Sequence, residues 1–518
     1  MDSPKTTASS TVACLNCRDK HLKCDGNPEG CDRCRVLSLF CHFVPSRRGR
    51  RGQPSQLAGL DSCPIPVVDE SPFFDSSSLP LEISGVLSPE YIPGPPQRPF
   101  RLRIHLIKAF YEYFHSAHPI FPPYDLWISS SPPQYLVDIV ELIGLHHASP
   151  GQVTEFPNDI WIATGQAELA LEKVQSYLFL CILFHGRNVP DLAKKCIGLA
   201  IECSFGLGLH FKEVSDAVEI QNPARAESMR RTLWEVFVVD TLLATMQVGG
   251  TLQFNMETPD VPLPSRDESF TDGHSGLSQI SAKDLDFSEL FDDGCMSPLA
   301  YRVEATLLLR QCLFACENHA GEDDMERLDT RISAWFHRWP NVNGSILQMN
   351  GKVDQIDFQS AMIMQCASIH LHFPRSLLVL LLPTTGEIFC SRPPPISSPS
   401  SNTQTHTAKI VNAASELSKL ASLSTSVRGH TPFFACSLVL SSIVQVAALA
   451  VPTGQPIAKQ RSFVALNLGV LKSMSQVWNI ASISFAKLRA IVREVRAAST
   501  EAGGQIVDST ISPLLTMS

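Results

Sequence analysis

Six cysteines at the spacing C-x2-C-x6-C, six residues, then C-x2-C-x6-C again are packed into the 28 residues from Cys14 to Cys41. No other stretch of this 518-residue chain restricts its fold so tightly. A C-x2-C pair lets two sulfurs reach one metal from a tight turn that opens a helix. Because the unit occurs twice, the stretch implies two metals related by pseudo-twofold symmetry. Two tetrahedral zinc ions need eight sulfur bonds, and Cys14, Cys17, Cys24, Cys31, Cys34 and Cys41 supply them only if two thiolates bridge. Symmetry makes those two equivalent, most simply the first of each half, Cys14 and Cys31. The six thiolates outweigh the two divalent cations, and the five lysines and arginines within the stretch offset the excess negative charge.

Three other arrangements compete: a disulfide knot, one four-cysteine zinc with two spare thiols, and a zinc module that binds only protein. The N-terminal MDSPKTTASS lacks a positive segment followed by an apolar core, so it is no secretory signal. An intracellular, reducing setting is therefore expected, in which thiols bind metal rather than pair. A single zinc leaves the repeat unexplained, and a purely protein-binding module has no need of lysines inside the loop.

Net charge sharpens the division of labour. The first 53 residues hold ten Lys/Arg against five Asp/Glu, a balance of +5 within a chain of −9, so the other 465 residues carry −14. A basic end on an acidic body points to a polyanion met by the N-terminus alone.

Residues 54–97 contain nine prolines, six Asp/Glu and no Lys or Arg, and read as a disordered, Pro-rich acidic linker. Beyond it helical periodicity dominates. RLRIHLIKAFYEYFHSAHPIF places Leu102, Leu106, Phe110, Tyr113 and Phe114 on one face, with Pro119 as the stop. KVQSYLFLCILFHG and DLAKKCIGLAIECSFGLGLH predict a helix pair joined at Gly186–Pro190 and closing at Gly206/Gly208. RAESMRRTLWEVFVVDTLLATMQVGG predicts another, with Leu233, Phe237, Asp240 and Leu243 inward and Gly249–Gly250 as its end. Further helices are expected over 298–320, 324–338, 355–382, 408–424, 432–451 and 461–497, with long loops over 255–296 and 384–406. The nineteen uncharged residues from Phe433 to Val451 are near bilayer-spanning length. Their serines, glutamine and flanking prolines suit a fully buried helix instead, and no membrane partner is expected.

The expected organisation is a disordered tail over 1–13, a metal module over 14–41, and a basic tail passing into the linker over 42–97. An all-α domain over 98–497 and a flexible tail over 498–518 complete it. The fold class is a small binuclear zinc-cluster module of two short helices plus a large all-helical domain.

These residues resemble the fungal zinc binuclear cluster (Zn(2)-C6 type) transcription factors. Cys17-Arg18-Asp19-Lys20-His21-Leu22-Lys23-Cys24-Asp25 matches their C-R-x-[RK]-x-x-K-C-D segment, and SRRGR from Ser46 is similar to their basic tail. The body is similar to their middle homology region at YFHSAHPIFP, GLAIECSFGLGLH and RRTLWEVFVVD, so the likeness extends over some 400 further residues in weaker form. The resemblance implies two Zn2+ ions, double-stranded DNA as partner and a nuclear location. It also implies that the helix after the second cysteine enters the major groove, where Lys20 and His21 reach base edges. Lysine donates to guanine O6 and N7, which favours CGG-like triplets. His21 stands where a second Lys or Arg is frequent, and neutral imidazole donates one hydrogen bond only. Arg18, Lys23, Arg33 and Arg35 are assigned to phosphate contact or to neutralising the cluster. Arg47, Arg48, Arg50 and Arg51 serve the DNA backbone or minor groove, a nuclear import signal, or both. With no heptads in the linker, a homodimer would form through the helical domain; a single half-site is the other arrangement.

DLDFSELFDDG sets Phe287, Leu290 and Phe291 on one helix face among five acids, a candidate activation segment for transcriptional coactivators. An acidic solvated loop is the plainer reading. Nothing points to an enzyme. GLGLH at 206–210 lacks the third glycine and the strand of a dinucleotide site, and G-x-S-x-G, P-loop and H-E-x-x-H patterns are missing. Cys312 and Cys316 read as small core residues, and His115, His118, His146 and His147 are scattered. The expected function is a sequence-specific activator at RNA polymerase II promoters, governing a metabolic or secondary-metabolite gene cluster. The alternative is a repressor or cofactor without activation function.

Overall fold

The computed structural model describes residues 17, 23–25 and 31–36, and then 103–150, 156–246, 250–256, 258–267, 270, 281, 282, 285, 296–318, 320–339, 346–381, 402–423, 426–449 and 456–501. The chain divides into two compact units, Met1–Pro96 and Gln97–Ser518. Cys14, Arg18, Lys20, His21, Cys41, Arg47, Arg48, Arg50 and Arg51, the linker, and Phe287, Leu290 and Phe291 lie outside the described residues.

The helix whose bounds are described in the first unit is α1 (Asp32–Val36). The second is helical throughout, with three isolated β-bridges and no strand among the described residues. Its helices are α2 (Ile104–Phe110), α3 (Tyr124–Ser129), α4 (Gln134–Ala148), α5 (Asn158–Gln166), α6 (Leu171–Gly186), α7 (Pro190–Gly206), α8 (Lys212–Glu219) and α9 (Pro223–Met246). After these come α10 (Pro298–Glu317), α11 (Glu322–Arg338), α12 (Gln355–His372), α13 (Thr403–Leu420), α14 (Phe433–Ala448), α15 (Ile457–Met474) and α16 (Asn479–Glu501).

Three helices form the interior. α9 is buried at every position from Ala226 to Met246, α14 at all of its positions, and α12 everywhere except Gln365 and Ser368. A helix buried all round needs cover on every side, and here neighbouring helices supply it, with the charged residues of α9 paired. α12 packs against α10 and α13, and α13, α14, α15 and α16 pack each on the next. α14 is the segment of near-membrane length. It is a core helix, and among the described residues no helix is long and apolar enough to cross a membrane.

Local chemistry sets several boundaries. Ser297 caps α10 by accepting from the Ala300 N–H at 3.0 Å, with Pro298 supplying a first residue that needs no partner. Asp354 caps α12 through the N–H groups of Ile356 (3.0 Å) and Asp357 (3.1 Å). α6 and α7 form the expected pair, and Gly208, with φ +68°, ends the second in a conformation that favours glycine. At the other end, a Cβ on Gly186 would lie 2.3 Å from Trp478, so glycine alone lets α6 approach that indole.

Other boundaries depart from the periodicity. The first helix passes into a π-turn over Tyr111–His115 and stops before Pro119. The 355–382 helix ends at His372, because Pro374 cannot donate into an α-helix, and continues as 3-10 turns over Phe373–Arg375 and Leu377–Leu381. The 461–497 helix is two helices, separated where buried Trp478 donates its indole N–H to the His430 carbonyl at 3.3 Å. Helices α3, α4, α5 and α8 stand outside the set the sequence predicts; α4 is buried on most of its circumference and so shows little alternation, whereas α8 is amphipathic but only eight residues long.

Candidate metal centre

In the first unit the sulfurs of Cys17, Cys24 and Cys31 lie within 4.8 Å of one another. Cys17 Sγ and Cys31 Sγ are 3.8 Å apart. A tetrahedron of thiolates about 2.3 Å from zinc has an edge of about 3.8 Å, whereas a disulfide is about 2.05 Å long. The donor set and its spacing thus fit a zinc ion. Cys17, Cys31 and Cys34 are buried together with Cys24 packed against them, so sulfur occupies the place of a hydrophobic core.

Cys31 opens the second half of the repeat, yet it sits with the first half's Cys17 and Cys24. What brings it there is the start of α1: Cys31 immediately precedes the helix, and its carbonyl accepts from the Arg35 N–H at 3.0 Å. Asp25, following Cys24, reaches across and accepts the Asp32 N–H at 3.1 and 3.3 Å through its two carboxylate oxygens. One carboxylate therefore ties the end of the first half to the start of the second. That role was not legible from spacing, although the position of Asp25 in the motif was. Arg33 and Arg35 lie exposed on α1, and Arg35 pairs with Asp32 at 3.8 Å. Lys23 is exposed beside Cys24.

In the second unit, two of the segments that carry the family likeness, YFHSAHPIFP and RRTLWEVFVVD, are joined by a buried polar network. His118 donates Nδ1–H to Glu235 at 2.8 Å, and Glu235 also accepts from Arg302. Arg302 donates further to the Ala117 carbonyl (3.2 Å) and Gln359 (3.1 Å). Burial pushes the Glu235 carboxyl up, but Arg302 and His118 outweigh it and hold it below the ordinary carboxylate range. Burial lowers the pKa of His118, against the opposing pull of Glu235. Two turns earlier, Glu227 accepts from both Arg230 (3.2 Å) and Arg231 (2.8 Å). Further along, Asp240 accepts the N–H groups of Gln253 (3.0 Å) and Phe254 (3.1 Å) and binds Arg310 at 3.2 Å. The network pins loops and neighbouring helices onto α9. Cys312 and Cys316 are buried, with burial raising both thiols.

Comparison with known proteins agrees with this division. Residues 12–51 match the fungal Zn(2)-Cys(6) binuclear cluster domain, and residues 159–295 match the fungal specific transcription factor domain. The chain is similar to the C6 finger domain transcription factor iacK of Pestalotiopsis fici, at 26% identity over 93% of this chain and 80% of that protein. It is also similar to the aspyridones cluster regulator of Neocamarosporium betae, at 33% identity over 76 residues, 15% of this chain and 17% of that one. No solved structure matches. The chain carries the domain pair of a fungal zinc-cluster transcription factor, not of an enzyme, and its cluster domain holds two zinc ions and serves DNA binding.

Proposed function

We propose that this chain is a nuclear, zinc-dependent activator that binds CGG-like triplets at RNA polymerase II promoters and controls one secondary-metabolite gene cluster. The observation that carries the reading is the position of Cys31 with Cys17 and Cys24. A residue that opens one half but joins the other half's donor group is what a bridging thiolate requires. Cys14, Cys17, Cys24 and Cys31 would hold one zinc and Cys14, Cys31, Cys34 and Cys41 the other, with Cys14 and Cys31 shared. The zinc ions supply the folding energy that so small a core lacks.

On that frame Lys20 and His21 read base edges, Arg18 and Lys23 hold phosphates, and Arg47, Arg48, Arg50 and Arg51 follow the backbone. Phe287, Leu290 and Phe291 engage a coactivator, and the helical domain over 98–497 pairs two copies on DNA. A pathway-specific role is supported by the likeness to a protein whose name is that of a cluster regulator.

Zinc content and DNA anisotropy of the full chain test the assignment together. The wild type should carry two zinc ions and bind a CGG-containing duplex. Cys24→Ser should weaken one site, and Cys31→Ser should empty both and abolish binding. DNA binding that survives complete chelation of zinc would overturn the proposal. Residues 54–518 fused to an unrelated DNA-binding domain should raise reporter output; lowered output would make the protein a repressor.

A further inference from the structure

Midway along α12 the buried interior of the helical unit opens to solvent. Of its eighteen residues only Gln365 and Ser368 escape full burial, and both line a cleft of about 980 Å3. The two lie three residues apart, on one face of the helix. α11 and α13 form the walls: Asp329, Ile332, Ser333 and Phe336 recur at helical spacing on one, and Thr405, Lys409, Asn412 and Glu416 on the other.

The lining has a specific chemistry. Ile332, Phe336, Trp339, Ile346, Leu420 and Leu423 give it an apolar, partly aromatic surface. Trp339 is held by stacking on Trp335, with ring centroids 5.1 Å apart and planes at 22°. Four lining residues are charged, and they neutralise each other in pairs: Lys409 donates to Asp329, and Lys419 donates to Glu416 at 2.6 Å. Asp329 is further committed to His372, which donates to it at 2.9 Å from behind the wall. By contrast, the amides of Gln365 and Asn412 and the hydroxyl of Ser368 have no hydrogen-bond partner among the described residues.

We propose that this cleft is a binding site for a neutral, largely apolar small molecule bearing a hydrogen-bonding oxygen. Its volume falls within the range of small-molecule sites, about 300–1,000 Å3, and apolar walls with a few unpaired polar groups are their usual make-up. A charged ligand would have to break an ion pair that the wall already satisfies, whereas a neutral one has Gln365, Ser368 and Asn412 at its disposal. The inference is independent of the DNA-binding reading, since it stands on the helical unit alone.

Prodan, a neutral naphthyl ketone, is a suitable probe for the full-length protein. Saturable, blue-shifted emission at one probe per chain is expected, with quenching of tryptophan fluorescence. Ser368→Phe fills the floor, and Asn412→Phe, at an exposed position, blocks the mouth; each should weaken binding by about tenfold or more. Gln365→Leu should weaken prodan while leaving diphenylhexatriene, which has no oxygen, unaffected. Absence of saturable binding, or binding that both filling variants leave unchanged, would overturn the site. If Ser368→Phe lowers the melting temperature, Asn412→Phe alone decides. Equal affinity for the anionic anilinonaphthalene sulfonate would overturn the assignment of a neutral ligand.

Discussion

At the scale of single residues, the six cysteines carry their chemistry in their spacing, but what Asp25 does is visible only in three dimensions. Its carboxylate spans the halves of the repeat by accepting from the Asp32 N–H, an interaction that no residue count announces. The arginines at 47, 48, 50 and 51 belong to the same scale. If they neutralise phosphates, each lost contact lowers the magnitude of the slope of log K against log salt by about 0.9. Changing all four to alanine should therefore flatten the slope measured by anisotropy on duplex DNA; an unchanged slope would remove the tail from the interface. His21 makes a further residue-scale case. A His21→Arg variant should tighten discrimination for a guanine step by about 1–3 kcal/mol, read from competition between matched and mismatched duplexes.

At the scale of elements, exposure alone does not explain what was legible. α9, α12 and α14 are expected from the sequence although they are buried nearly all round, whereas α3, α5 and α8 have wet faces but are too short, at six, nine and eight residues, to show a period; α4, buried on most sides, gives little alternation. α9 is the instructive element. Its inward Asp240 was legible from the stripe, but Glu235 and its partner Arg302, 67 residues away in sequence, were not. A buried ion pair is costly to break one-sidedly, because the remaining charge stays desolvated. Glu235→Gln should accordingly destabilise the chain by about 3–5 kcal/mol in urea denaturation. Glu235→Leu combined with Arg302→Met should recover much of that loss, since neither charge is then stranded. A double variant as unstable as the single one would show that the pair acts through something other than its charges.

At the scale of the whole molecule, the helical unit holds several histidines in buried or, for His115, half-buried positions. Burial lowers His115, His146 and His430 to about 4, and His147 and His185 to about 3, from an ordinary value of 6.5. Additional contributions come from Arg187 beside His146 and from His146 and Arg428 beside His147. Because the folded values are depressed, the unfolded chain binds protons first as pH falls. Stability is therefore fully present above about 6.5 and is lost as pH drops towards 4. The melting temperature should fall progressively across that interval, and His147→Phe should reduce the dependence. A flat profile would contradict the buried, neutral state of these side chains.

The sequence by itself determined the chemistry that is local. Cysteine spacing dictates a thiolate metal cluster, basic residues beside it mark a polyanion partner, and a 3.6-residue period in the body makes it helical, since each of these depends only on neighbours along the chain. Tertiary structure decided what depends on distant partners. It placed Cys31 with Cys17 and Cys24, joined His118, Glu235 and Arg302 from three segments into one network, and left Gln365 and Ser368 of α12 facing a cleft. Burial and desolvation arise only when segments meet, so the charges and cavities they create could not be read from the chain before it folded.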